Sequence, residues 1–152
     1  MSNVGTDEAP ATGTAHLRMQ LRWGDLDSLG HLSHSVYHDF LAEVRLAAMS
    51  ALGTVEPTQF VLAHVELDHR REIRRQDGYV DLHASILAVG QSSITIEHSV
   101  LLPDGSVSAE GSSVLVAWDP QARSSRKLSD FERTELSAGL EKRTERTGAP
   151  RG

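Results

Sequence analysis

The chain has 152 residues, with 15 Lys and Arg against 21 Asp and Glu and a formal net charge of −6. That mild acidity argues against a nucleic-acid binder held by bulk electrostatics, and no apolar run approaches the roughly 20 residues that span a bilayer. With no cysteine, disulfides, thiolate nucleophiles and Cys-based zinc sites are excluded together, and a cytoplasmic protein is the default expectation.

Residues 1–15 are rich in Gly, Pro, Ala and Thr and have no hydrophobic period; residues 144–152 are similar. Both read as flexible tails around a single domain, 16–143. The start lacks a basic stretch followed by an apolar one, so no signal peptide is expected. Leu17, Met19, Leu21 and Trp23 alternate with polar residues, which predicts a half-buried strand. A polar loop follows over 24–33. From Ser35 the period changes: Val36, Tyr37, Phe40, Leu41, Val44, Ala47, Ala48 and Ala51 recur at three- and four-residue spacing, the apolar face of one long helix. Gly53 is its expected stop, and 54–59, with Pro57, reads as a loop.

Four more strands follow. Val61, Ala63, Val65 and Leu67 alternate with polar neighbours, as do Val80, Leu82, Ala84, Ile86 and Ala88. Ile94, Ile96, His98, Val100 and Leu102 give the cleanest alternation. "LLPDGS" (101–106) predicts a hairpin turn with Gly105 at positive φ, leading into a strand over 107–118. A last helix is expected over 129–142, with Asp130 and Glu132 near its start and Lys142 and Arg143 near its end, as the helix dipole favours. The expected fold class is α+β: five strands, the last four in a meander, form a curved antiparallel sheet wrapped around the long helix, plus a C-terminal helix. Exposed sheet edges invite a second copy, so a homodimer or a tetramer of dimers is expected.

The stretch "RWGDLDSLGHLSHSVYHDFLAEVR" (22–45) is dense in ionisable groups where the helix begins. It resembles the opening motif of hotdog-fold acyl-CoA thioesterases of the 4-hydroxybenzoyl-CoA thioesterase type, roughly Asp-x-Asp-x-x-Gly-His-Val-Asn-Asn-x-x-Tyr. The chain matches at Asp25, Asp27, Gly30, His31 and Tyr37, and the resemblance covers about residues 17–131. It departs where the two Asn are replaced by Ser33 and His34. It departs again at "DHRREIRRQDGY" (68–79), where the family has Tyr-x-x-Pro, a basic residue and Gly-Asp. The first change is expected to alter the pocket floor, the second the grip on a CoA tail.

Thioester cleavage needs a nucleophile or base at the carbonyl carbon and donors for the oxyanion. A carboxylate serves the first need, and amides at a helix N-terminus serve the second. The resemblance selects Asp27 as the catalytic carboxylate and the His34 backbone N–H as oxyanion donor, which makes Asp25 structural, capping or paired with Arg22. The competing reading of Asp27 is an Asp accepting loop amides in a turn. Gly30 lets the loop turn sharply. His31 either orients substrate or anchors the loop. Glu43 is a reserve catalytic carboxylate, since some hotdog thioesterases use one on the helix; otherwise it is a surface charge for Arg45 or Arg18. The spacing of His31, His34 and His38 raises a metal site, but no His-Glu-x-x-His pattern supports it, and none is expected. No cofactor is expected.

Tyr37, Phe40 and Leu41 are expected to shape the acyl pocket with the loop 53–59. Arg70, Arg71, Arg74 and Arg75 offer guanidinium groups to CoA phosphates, set against a solvated face paired with Glu66, Asp68, Glu72 and Asp77. Arg123, Arg126 and Lys127, and the run Gln91-Ser92-Ser93, are weaker candidates. The expected function is hydrolysis of an acyl-CoA or acyl-carrier thioester. The alternatives are a non-catalytic acyl-CoA binding module and a hotdog dehydratase or hydratase, for which His64 or His83 would face a carboxylate. No nucleic-acid or membrane partner is expected.

Overall fold

The computed structural model of the protein describes residues 13–52, 56 and 59–147, with side chains to 140. The expected tails therefore lie largely outside the described residues, as do Gly53 and most of the loop 54–59. The elements in order are β1 (Thr14–Gln20), α1 (His34–Ser50), β2 (Phe60–His69), β3 (Tyr79–Val89), β4 (Ser93–Leu101), β5 (Val107–Asp119), the two-residue β6 (Ser124–Ser125) and α2 (Asp130–Thr147). This is the α+β hotdog architecture: a curled antiparallel sheet of five main strands, a central helix and a C-terminal helix.

The sheet order is β1-β3-β4-β5-β2, with β6 on β5. This corrects the four-strand meander. Only β3, β4 and β5 follow one another; β2 crosses to the far edge and pairs with β5. Gly111 on β5 permits that close approach, because a Cβ there would overlap the Glu66 carbonyl of β2. The alternation in β2 is also weaker than expected. A register shift between Leu62 and His64 interrupts the ladder, and Val61 and Leu62 are exposed.

The core lies between α1 and the sheet. Leu41, Val44, Ala48 and Met49 of α1 are buried with Val80, Leu82 and Ile86 of β3 and Ile94, Ile96 and Val100 of β4. Each large side chain stabilises the fold by about 1.5–3 kcal/mol. The helical and alternating periods thus put their apolar faces together, and α1 runs over β1 and β3. Trp23 departs from expectation. β1 ends at Gln20, and Trp23 opens a short 3-10 turn (Trp23–Asp25) with 76% of its surface exposed. α2 starts at a reciprocal cap: Glu132 N–H donates to Ser129 Oγ (3.1 Å) and Ser129 N–H to Glu132 Oε1 (2.9 Å). It runs on to Thr147, past the expected end at 142. No helix among the described residues is long and apolar enough to cross a membrane.

Candidate active site

The loop between β1 and α1 is tied down at both ends. Asp25 is buried, and its carboxylate takes the Arg22 N–H (2.8 Å) and the Arg22 guanidinium (3.0 Å). Its carbonyl accepts the Ser33 N–H (2.9 Å), and Leu32 N–H reaches the Ile73 carbonyl (2.8 Å). Between these anchors the chain makes a small hairpin. Gly30 N–H closes onto the Asp27 carbonyl (3.0 Å), Asp27 N–H onto the His31 carbonyl (2.8 Å), and Gly30 sits at φ +76°.

Asp27 closes the turn of this hairpin opposite His31 and is exposed. Its Oδ1 accepts the Leu29 N–H (2.9 Å) and the His31 N–H (3.1 Å). The turn-stabilising geometry is therefore present. Oδ2 has no hydrogen-bond partner among the described residues, so the side chain is oriented through one oxygen with the other left available.

α1 begins beside this loop. Ser33 is its N-cap by position, but its hydroxyl makes no cap bond and lies 3.2 Å from the Ser35 hydroxyl instead. Among the described residues the first-turn amides at His34 and Ser35 have no side-chain acceptor, with the helix dipole behind them. The His34 ring stacks on His69 of β2 (centroids 4.9 Å, 15°), and Tyr37 meets His69 edge-on (4.8 Å, 90°). Tyr37 is buried and anchored: its hydroxyl lies 3.0 Å from Ser108 Oγ, which donates to the Arg71 carbonyl (2.7 Å). Burial first, then the neighbouring His34 and His38, push the His69 pKa below the ordinary imidazole value. Asp27, His31, His34, Tyr37 and His69 all line one hollow of about 370 Å³.

A second hollow, about 670 Å³, also reaches the Asp27 loop and is lined by Trp23, Leu29, Arg74, Arg75 and Asp27 itself. The arginine cluster is thus divided. Arg70 pairs with Glu110 (3.2 Å) and Arg71 with Asp104 (3.6 Å) beside the first hollow. Arg74 and Arg75 face the second. His31 bonds Glu72 (2.7 Å) and bridges to Arg74 through the backbone, a loop-anchoring geometry. Glu43 lines neither hollow; it is exposed beside Arg22, Asp39 and Phe40, and among the described residues it forms no ion pair with Arg45 or Arg18. Arg18 pairs with Asp81. Phe40 is a core residue. Arg126 is engaged by Glu132 (2.6 Å), and the carbonyls of Gln91 and Ser92 bind the amides of Leu128 and Ala117. His64 is exposed on β2, and His83 stacks on His16.

The sequence reading missed His69, hidden inside a stretch read as a basic cluster, and the exposed Trp23. It also missed a buried polar trio under α1. Arg45 donates to Ser113 Oγ (3.1 Å), which lies 2.8 Å from His98 Nε2, while His98 Nδ1 is buried with no hydrogen-bond partner among the described residues. His98 alternates in register with Ile94, Ile96 and Val100, which marked its position as inward.

Residues 21–143 match the family described as the thioesterase-like superfamily. The chain belongs to that superfamily. The solved structures it resembles agree. A thioesterase from Thermus thermophilus complexed with coenzyme A and Zn superimposes with TM-score 0.71 at 25% identity, over 86% of this chain and 96% of that one. The DHNA-CoA thioesterase of Staphylococcus aureus gives 0.74 at 14% identity, over 90% and 96%. A Bacillus stearothermophilus protein described as a predicted thioesterase gives 0.73 at 21%, over 82% and 94%. No curated protein matches the chain in sequence. Thioester hydrolysis is the activity class this membership supports. Among the described residues no group of three His, Asp or Glu side chains is placed to hold a metal ion.

Proposed function

We propose that the protein hydrolyses acyl-CoA thioesters with Asp27 as its catalytic carboxylate. The observation that carries this reading is Asp27 itself: exposed at the junction of two hollows, fixed through Oδ1, open at Oδ2, and lining the same hollow as the start of α1. Two routes use this geometry. In one, Oδ2 attacks the thioester carbon, the C–S bond breaks, the thiolate leaves and water hydrolyses the mixed anhydride. In the other, Oδ2 takes a proton from water, the hydroxide attacks, and the proton passes to the departing thiolate. In both, the oxyanion meets amides at the α1 start, near His34. The Thermus structure with coenzyme A supports CoA as the thiol carrier.

The working unit in this reading is a homodimer. β2 is a sheet edge, and it leaves Val61 and Leu62 exposed, 38% and 46%. Sedimentation should give a dimer or larger at micromolar concentration; a stable monomer would remove this part. The absence of cysteine accords with work in the cytoplasm. The test of the activity is a hydrolysis screen over short, long and aryl acyl-CoA thioesters, following free thiol. Turnover of at least one class is expected. Tight binding of thioesters without thiol release would replace the enzyme with a binding module.

A further inference from the structure

Two short 3-10 turns, Trp23–Asp25 and Arg75–Asp77, are built alike. In each, the closing Asp accepts the backbone N–H of the residue just before the turn: Arg22 N–H to Asp25 (2.8 Å) and Arg74 N–H to Asp77 (2.7 Å). The strands bring the turns together, since β1 pairs with β3 through Gln20 and Tyr79, and Leu21 N–H donates to the Gly78 carbonyl (2.9 Å). The first residues of the two turns then meet. The Arg75 guanidinium lies 4.8 Å from the Trp23 ring centroid. Trp23 remains 76% exposed, and Leu29, 75% exposed, lines the same hollow of about 670 Å³. Arg75 has no ion pair among the described residues, and Arg74 has only Glu72, at 3.7 Å.

An indole held flat by a cation, with its remaining surface in water and two guanidinium groups beside it, suits a ligand that is both planar and polyanionic. Asp27 lines this hollow as well as the one with His34, Tyr37 and His69. A thioester carbon at Asp27 therefore has one hollow for its acyl group and another for its thiol arm. We propose that the Trp23–Arg75 platform binds the adenine nucleotide end of the CoA thioester, the base stacking on Trp23 and the phosphates meeting Arg74 and Arg75. This rests on the thioesterase reading and deepens it. Substrates on a carrier protein end in phosphopantetheine with no purine, so the platform selects free CoA thioesters.

Two measurements test it. The first compares kcat/KM for one acyl group on CoA and on pantetheine, in the full chain and in Trp23→Ala and Arg75→Gln. The CoA-to-pantetheine ratio should fall about tenfold in Trp23→Ala, the scale of losing one base–aromatic stack. An unchanged ratio overturns the proposal. The second needs no turnover: tryptophan fluorescence is titrated with adenosine 3′,5′-bisphosphate. Saturable quenching that disappears in Trp23→Ala is expected. Quenching that persists in that variant assigns the nucleotide elsewhere. Emission that responds to protein concentration but not to nucleotide makes the platform a contact between copies; either result sinks the idea. If no thioester is hydrolysed but the titration succeeds, the nucleotide site stands and the hydrolase reading fails.

Discussion

Two polar regions lie along α1 and behave in opposite ways. At its start, Asp27, His34 and His69 face an open hollow, with one carboxylate oxygen and the His34 and Ser35 amides unengaged among the described residues. Under its second half, Arg45, Ser113 and His98 are closed in between the helix and the sheet, 8% exposed or less. The residue types are similar; access to water is not. Free valences at an open site are free to meet a ligand, whereas the same valences in the core are a cost borne by the fold. Asp25 sits among the residues of the first region but has the surroundings of the second. It is buried and fully engaged by Arg22, two positions from an Asp that is neither.

The largest effect expected from this contrast is at Asp27. Asp27→Asn keeps the acceptor for the loop amides and removes the base, so kcat should fall by roughly a hundredfold or more. The melting temperature should stay near that of the unaltered protein. Full activity in this variant would move the chemistry to Glu43, although Glu43 opens on a different hollow. Next in size is Asp25→Asn. It weakens charge-assisted bonds at a buried carboxylate, so the melting temperature should fall. Activity per folded molecule should largely survive, and a loss of activity equal to that of Asp27→Asn without any loss of stability would erase the distinction.

The smallest effect is a pH dependence of the closed region. Burial first, then the charge of Arg45, hold the His98 pKa down to about 4, against 6.5 for an ordinary imidazole. Between those values the unfolded chain binds a proton that the folded chain does not. Stability therefore falls as pH drops from about 6.5 toward 4. The expected loss between pH 7 and pH 5 is about 2 kcal/mol, read by urea unfolding. His98→Asn should flatten that slope; a slope that persists would assign it to other groups.

The spacing of apolar residues was enough to place all five main strands and both helices, because a strand or helix with one buried face must repeat its apolar side chains at its own period. Local chemistry was legible too: the sharp turn at Gly30, the acidic start of α2, and the choice of capping or Arg22 pairing for Asp25 all involve residues within a few positions of one another. The resemblance carried by residues 22–45 named the superfamily.

Only the tertiary structure decided the rest. Strand order was one such matter, since nothing in the residues of β2 says whether β3 or β5 will be its neighbour. The company each polar residue keeps was another. His69 joins His34 across 35 positions, Arg75 meets Trp23 across 52, and Arg45 reaches Ser113 across 68. Such contacts arise from the register of the strands and the course of α1 over them. A one-residue shift in that register would send the same side chains to the other face of the sheet. Sequence periodicity specifies which face a residue occupies; the pairing of distant segments specifies what it finds there.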